Sequence, residues 1–137
     1  MVAQDCARAY RANSILTASP GQLVLLLYDG ALNAMAIARA AFDRPTKDLG
    51  RFQTINHQLG KARKIITELQ GRLNFEAGRE FAEQMHSLYD YYNRRLLEAN
   101  LNKDVEPILE VERLLGEIRN AWAEMLMQQT SEVAMSR

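Results

Sequence analysis

Between residues 47 and 73 the apolar side chains Leu49, Phe52, Ile55, Leu59, Ala62, Ile66, Leu69 and Leu73 recur at gaps of three and four. That spacing puts them on one face of a 3.6-residue-per-turn helix and excludes the alternation of a strand. A helix of this length with one apolar stripe cannot stand alone in water, because the stripe must be covered by partners. The rest of the chain supplies them. Phe81, Met85, Leu88, Tyr92, Leu96 and Ala99 mark another stripe, and Val105, Ile108, Val111, Leu115, Ile118, Trp122 and Met125 a further one.

The remaining stripe begins near Ser19-Pro20-Gly21-Gln22, which reads as a Ser-x-x-Gln capping box with proline at the first helical position, where a missing N–H costs nothing. It continues through Leu32, Met35 and Phe42 until Asp43-Arg44-Pro45-Thr46 breaks it. Residues 23–27 are all apolar and place hydrophobic surface on more than one side of this helix. Asn74 and Gly78 bound a turn, residues 100–103 end the third helix, and Asp104 can cap the fourth, with Pro107 in its first turn. Four long stripes joined by short connections predict an all-α fold, an antiparallel up-down four-helix bundle. Residues 1–16 read as a short arm anchored by Tyr10, Ile15 and Leu16, residues 17–127 as the bundle domain, and residues 128–137, where the period is lost, as a frayed, flexible tail.

A chain of 137 residues can bury roughly 65–70% of its unfolded surface in one core, without disulfides or a structural metal. Its 17 basic and 17 acidic residues cancel, so no net field draws it to nucleic acid or anionic membrane. A single cysteine, Cys6, fits a reducing compartment. The start of the chain lacks the pattern of a signal peptide, and the apolar run at residues 23–27 soon meets Asp29 and Gly30, so no bilayer crossing and a cytoplasmic location are expected.

Catalytic constellations are poorly represented. Glu83-x-x-His86 is half of a ferritin-like di-iron ligand set, but the other histidine, His57, has Thr54 three residues before it, and the pair flanks its helix's stripe. Cys6 has no histidine near it in sequence, and Glu110 and Glu112 lie on different helix faces, so no catalytic residue, metal ligand or cofactor is assigned. Lys61, Arg63, Lys64, Arg94 and Arg95 are interspersed with Glu68, Asp90 and Glu98 and read as solvated faces without an aromatic platform for nucleic acid. Two features point to a binding surface. Gly30, Ala31, Ala34 and Ala38 form a small-residue ridge, and Gly60 and Gly116 interrupt other helices; the ridge reads as close helix packing or as a groove for a guest. Tyr89, Tyr91 and Tyr92 span three directions around their helix, so at least one belongs at a rim.

The ordered blocks Tyr10 before Leu16-Thr17-Ala18-Ser19-Pro20, then Leu27-Tyr28-Asp29-Gly30-Ala31-Leu32, Lys61-Ala62 with Ile65-Ile66 and Glu68-Leu69, Leu88-Tyr89-Asp90-Tyr91, Leu97-Glu98-Ala99-Asn100 and Glu117-Ile118-Arg119-Asn120-Ala121-Trp122 resemble the FliS family of flagellar export chaperones. Gln84-Met85 and Tyr92 depart from the family's usual residues while keeping an apolar or aromatic surface. The resemblance implies a helical bundle that binds the disordered C-terminal segment of flagellin in the cytoplasm, one to one and without cofactor or metal. It further implies a bundle that is monomeric when free, prevents premature polymerisation and delivers its guest to the type III export apparatus. It also implies that the N-terminal arm can fold over part of the guest groove. Tyr10, Leu16, Tyr28, Tyr91 and Trp122 are the expected guest contacts. The same bundle serving another flagellar regulatory protein, and a metal-dependent enzyme built on Glu83 and His86, are the alternative readings.

Overall fold

The computed structural model describes residues 20–135. Four helices follow one another, α1 (Pro20–Phe42), α2 (Gly50–Gly71), α3 (Arg79–Asn102) and α4 (Glu106–Met135), and no strand occurs among the described residues. Each packs on its neighbours in sequence and α1 also packs on α4, which closes the ring of a four-helix bundle. Inter-helix bonds show the helices to be antiparallel. Asp29 and Arg39 of α1 pair with Arg119 and Glu112 of α4 in reverse order, and Thr67 and Gln70 of α2 bond Asn93 and Asp90 of α3 in the same sense.

The core is built from the stripes. Met35, Ile55, Leu59, Ile66, Leu96, Ile108, Val111 and Leu115 are fully buried. Ala31, Ala34, Ala38 and Ala41 of α1 are fully buried too, and a Cβ added at Gly30 would lie 3.4 Å from Ile65 Cδ1 of α2. The small-residue ridge is therefore close helix packing, in which short side chains let two helices approach. Gly60 and Gly116 are different, because a Cβ added at either meets nothing within 4 Å.

The connections follow from local chemistry. Asn74 Oδ1 accepts the N–H groups of Glu76 and Ala77 in the α2–α3 turn, and Asp104 Oδ1 accepts that of Glu106 at the start of α4. Lys103 takes the left-handed conformation at φ 50°, which costs an L-residue roughly 1–2 kcal/mol. Its Nζ donates to Asn56 Oδ1 and Asn100 Oδ1 at 2.7 and 2.6 Å and stands over the Phe52 ring, which offsets that cost.

The stripes overstate burial at their ends. Leu49, Phe52 and Phe81 are exposed, because the bundle is covered along its length and open at its ends, and Leu88 within α3 is exposed as well. The helix α4 runs on through residues 128–135, beyond the end of the stripe, where residues 128–132, Ala134 and Met135 are exposed. The expectation that no stretch reaches bilayer-crossing length needs correction: α1 is long and apolar enough to do so by length and composition. Its alanine face is instead spent on α2, and its charged residues Asp29 and Arg39 are paired with α4, as in the core helix of a bundle. Ser19 of the capping box, Cys6 and the arm lie outside the described residues.

Candidate functional site

An apolar cavity of about 710 Å3 opens at the end of the bundle where α1 begins, α2 ends, α3 begins and α4 runs past the core. All four helices contribute to it: Val24 and Tyr28 from α1, Leu69 from the end of α2, Phe81, Met85 and Tyr89 from α3, and Ile118, Trp122 and Met125 from α4, with Leu73 from the connection after α2. The α2–α3 turn adds the small residues Ala77 and Gly78. Apolar residues left at a helix end have no partner across the bundle, so the stripes that zip the core together lower down line an open recess here.

The floor is aromatic and the rim is apolar and exposed. Tyr28 and Tyr89 are 3% and 2% exposed and their hydroxyls are hydrogen-bonded to each other at 2.6 Å. Burial raises the pKa of both. For Tyr89 the hydrogen bond to Tyr28 adds to the rise, whereas for Tyr28 the bond partly opposes it. Both rings are neutral phenols at any physiological pH. Trp122 packs on the core with part of its ring exposed, and its Nε1–H donates to the Gly21 carbonyl at 2.8 Å, tying α4 to the first turn of α1. Phe81 stands at the rim, 65% exposed, continuing the apolar surface of the recess into water.

Of the five expected guest contacts, Tyr28 and Trp122 come together on this cavity. Tyr91 does not line it. The half-buried Tyr91 hydroxyl donates to Glu110 Oε1 at 2.8 Å, and Arg95 Nε donates to the same oxygen at 2.8 Å. That network ties α3 to α4. It holds the Glu110 carboxyl below its ordinary pKa, through the bonds from Arg95 and then Tyr91, and raises that of Tyr91. Tyr10 and Leu16 lie outside the described residues. The anticipated division of the tyrosines is met by Tyr91 at the edge and Tyr28, Tyr89 and Tyr92 within. Val24, Leu73, Phe81, Met85 and Met125 were missed as site residues. All but Val24 stand on the stripes, and the sequence carries no mark that separates a stripe residue facing a neighbour from one facing the recess.

The other chemistry stays on the surface. Glu83 pairs with Arg79 at 3.4 Å, and His86 Nδ1 lies 3.7 Å from Asp90. No group of three or more His, Cys, Asp or Glu that could hold a metal ion occurs among the described residues. A second recess, between α2 and α3, is polar, and two of its lining pairs, Gln70 with Asp90 and Asn93 with Thr67, bond each other.

The profile described as flagellar protein FliS matches residues 3–130. A flagellar secretion chaperone FliS of Bacillus subtilis is 36% identical over 96% of this chain and 94% of its own length. The flagellar secretion chaperone FliS of Salmonella typhimurium is 40% identical over 82% of this chain and 81% of its own, and that of Escherichia coli 37% identical over 84% and 82%. With a match along nearly all its length and relatives above 30% identity, the chain belongs to the FliS family of flagellar secretion chaperones.

Proposed function

We propose that this chain is a cytoplasmic chaperone that holds the C-terminal segment of flagellin, keeps it from polymerising before export, and hands it to the flagellar type III export apparatus. The observation that carries the reading is the apolar cavity of about 710 Å3 with Phe81 exposed at its rim, an arrangement that leaves hydrophobic surface in water unless something covers it. A disordered guest suits such a surface. It can fold as short amphipathic helices over a wide template and insert its apolar side chains into the recess, at the cost of its own ordering entropy. The lining contains no carboxylate, histidine or thiol among the described residues, so the site is built to bind and carries no acid, base or nucleophile of those kinds. Binding one to one as a monomer, without nucleotide or metal, completes the proposal.

Calorimetric titration with the C-terminal segment of flagellin from the same cell, beside a scrambled control, tests it. The expected result is saturable one-to-one binding with a negative heat-capacity change, the mark of apolar burial coupled to folding. Trp122, the chain's single tryptophan, lines the recess, so its emission should shift over the same range of concentrations. Absence of heat and of co-elution would overturn the reading and direct the search to other flagellar proteins.

A further inference from the structure

We propose that the Tyr28–Tyr89 pair is a polar anchor at the floor of the recess, which takes one uncommitted amide carbonyl of the guest; the inference rests on the function proposed above. Each neutral phenol carries one proton. When one hydroxyl donates to the other across 2.6 Å, the acceptor's own proton is left over, and no further hydrogen-bond partner of either hydroxyl occurs among the described residues. Both tyrosines are at least 97% buried, and the one side-chain carbonyl among the residues lining the recess, that of Asn74, already accepts the N–H groups of Glu76 and Ala77. A buried donor without an acceptor is costly, so an occupant that brings an acceptor to that depth gains over one that is wholly apolar. A carbonyl inside a helix is already engaged, whereas one in an extended stretch, at a helix C-terminus or on an Asn or Gln side chain is free. Either tyrosine can serve. With the two oxygens 2.6 Å apart, the spare proton rests on Tyr28 when Tyr89 donates and on Tyr89 when Tyr28 donates, so each ring can carry the donor.

That last point gives the test its pattern. Flagellin C-terminal segment is titrated into the wild-type chain, into Tyr28→Phe, into Tyr89→Phe and into the double variant. Each single variant keeps one hydroxyl, freed from its partner and able to donate to the guest, so binding should stay within about threefold of wild type. The double variant loses the donor, and affinity should fall about tenfold or more. Urea midpoints of the free proteins accompany the titrations, since replacing both partners of a hydrogen bond by isosteric apolar groups leaves folding nearly unchanged. Should the double variant not fold, the tyrosine hydroxyl resonances of the wild-type chain decide instead. A hydroxyl proton newly protected from exchange on guest binding supports the anchor, and one that stays unprotected overturns it.

Firm wild-type binding with no penalty in the double variant refutes the anchor and leaves the chaperone reading intact. No wild-type binding refutes both. Replacing each Asn and Gln of the guest by Leu in turn distinguishes the source of the carbonyl. One replacement that abolishes the penalty marks a side chain, and a penalty that survives every replacement marks the backbone.

Discussion

Alanine at Gly60 and at Gly116 should stabilise the free bundle. Both glycines sit inside helices, α2 and α4, where glycine costs about 0.8–1.0 kcal/mol relative to alanine. A glycine keeps its place despite that cost when a neighbour needs the space, and here an added Cβ meets nothing within 4 Å. The full propensity gain of about 1 kcal/mol per site should therefore appear, with no steric charge against it. At about 2.1 cal/mol/K of unfolding entropy per residue, a chain of 137 residues should melt about 3 °C higher for each substitution. With a urea m-value of about 2 kcal/mol/M, the midpoint should rise by roughly 0.5 M at unchanged m. Circular dichroism at 222 nm through a urea titration reads both quantities. An unchanged or lowered midpoint would refute the reasoning, because it would mean that the added methyl groups collide with something the open faces of α2 and α4 do not show. The same two variants should bind guest as wild type does, since neither glycine lines the recess. A stability gain accompanied by lost guest affinity would instead place the guest's backbone against the glycine.

Other substitutions check the core, the rim and the acid limit. Leu59→Ala removes a fully buried side chain and should cost about 2–5 kcal/mol in urea unfolding, while Leu101→Ala, at a residue 72% exposed, should stay within about 0.5 kcal/mol. Phe81→Ala should change stability little and weaken the flagellin segment about tenfold or more in calorimetry, as expected of a large aromatic side chain that the guest covers and removes from water. Glu110 is held below its ordinary pKa of 4.5 by Arg95 and Tyr91, so it contributes stability above that value and loses the contribution as pH falls through its lowered folded value. Glu110→Gln should therefore unfold with a flatter pH dependence below about pH 4.5, measured as urea midpoint against pH.

The bundle was legible because periodicity is a local property. Ile55, Leu59, Ala62, Ile66 and Leu69 read as one helix face in the sequence and are one buried face in the structure. The site was legible only in part. Tyr28 and Trp122 stand on the recess, but Tyr91, equally aromatic and three residues beyond Leu88, is turned toward Glu110, and that depends on where α4 lies beside α3. The same contrast separates Gly30, whose close neighbour is Ile65, from Gly60, which has none.

By itself the sequence determined four amphipathic helices, their order and breaks, and a surplus of apolar residues that one core could not absorb, because side-chain spacing and turn chemistry act within a few residues of chain. Which stripe residues zip together and which are left facing a recess was decided by tertiary structure alone. Helices of unequal reach meet across a bundle, and only their relative placement brings Val24, Leu73, Phe81 and Trp122 around one cavity and sets the hydroxyls of Tyr28 and Tyr89, 61 residues apart in the chain, against each other at its floor.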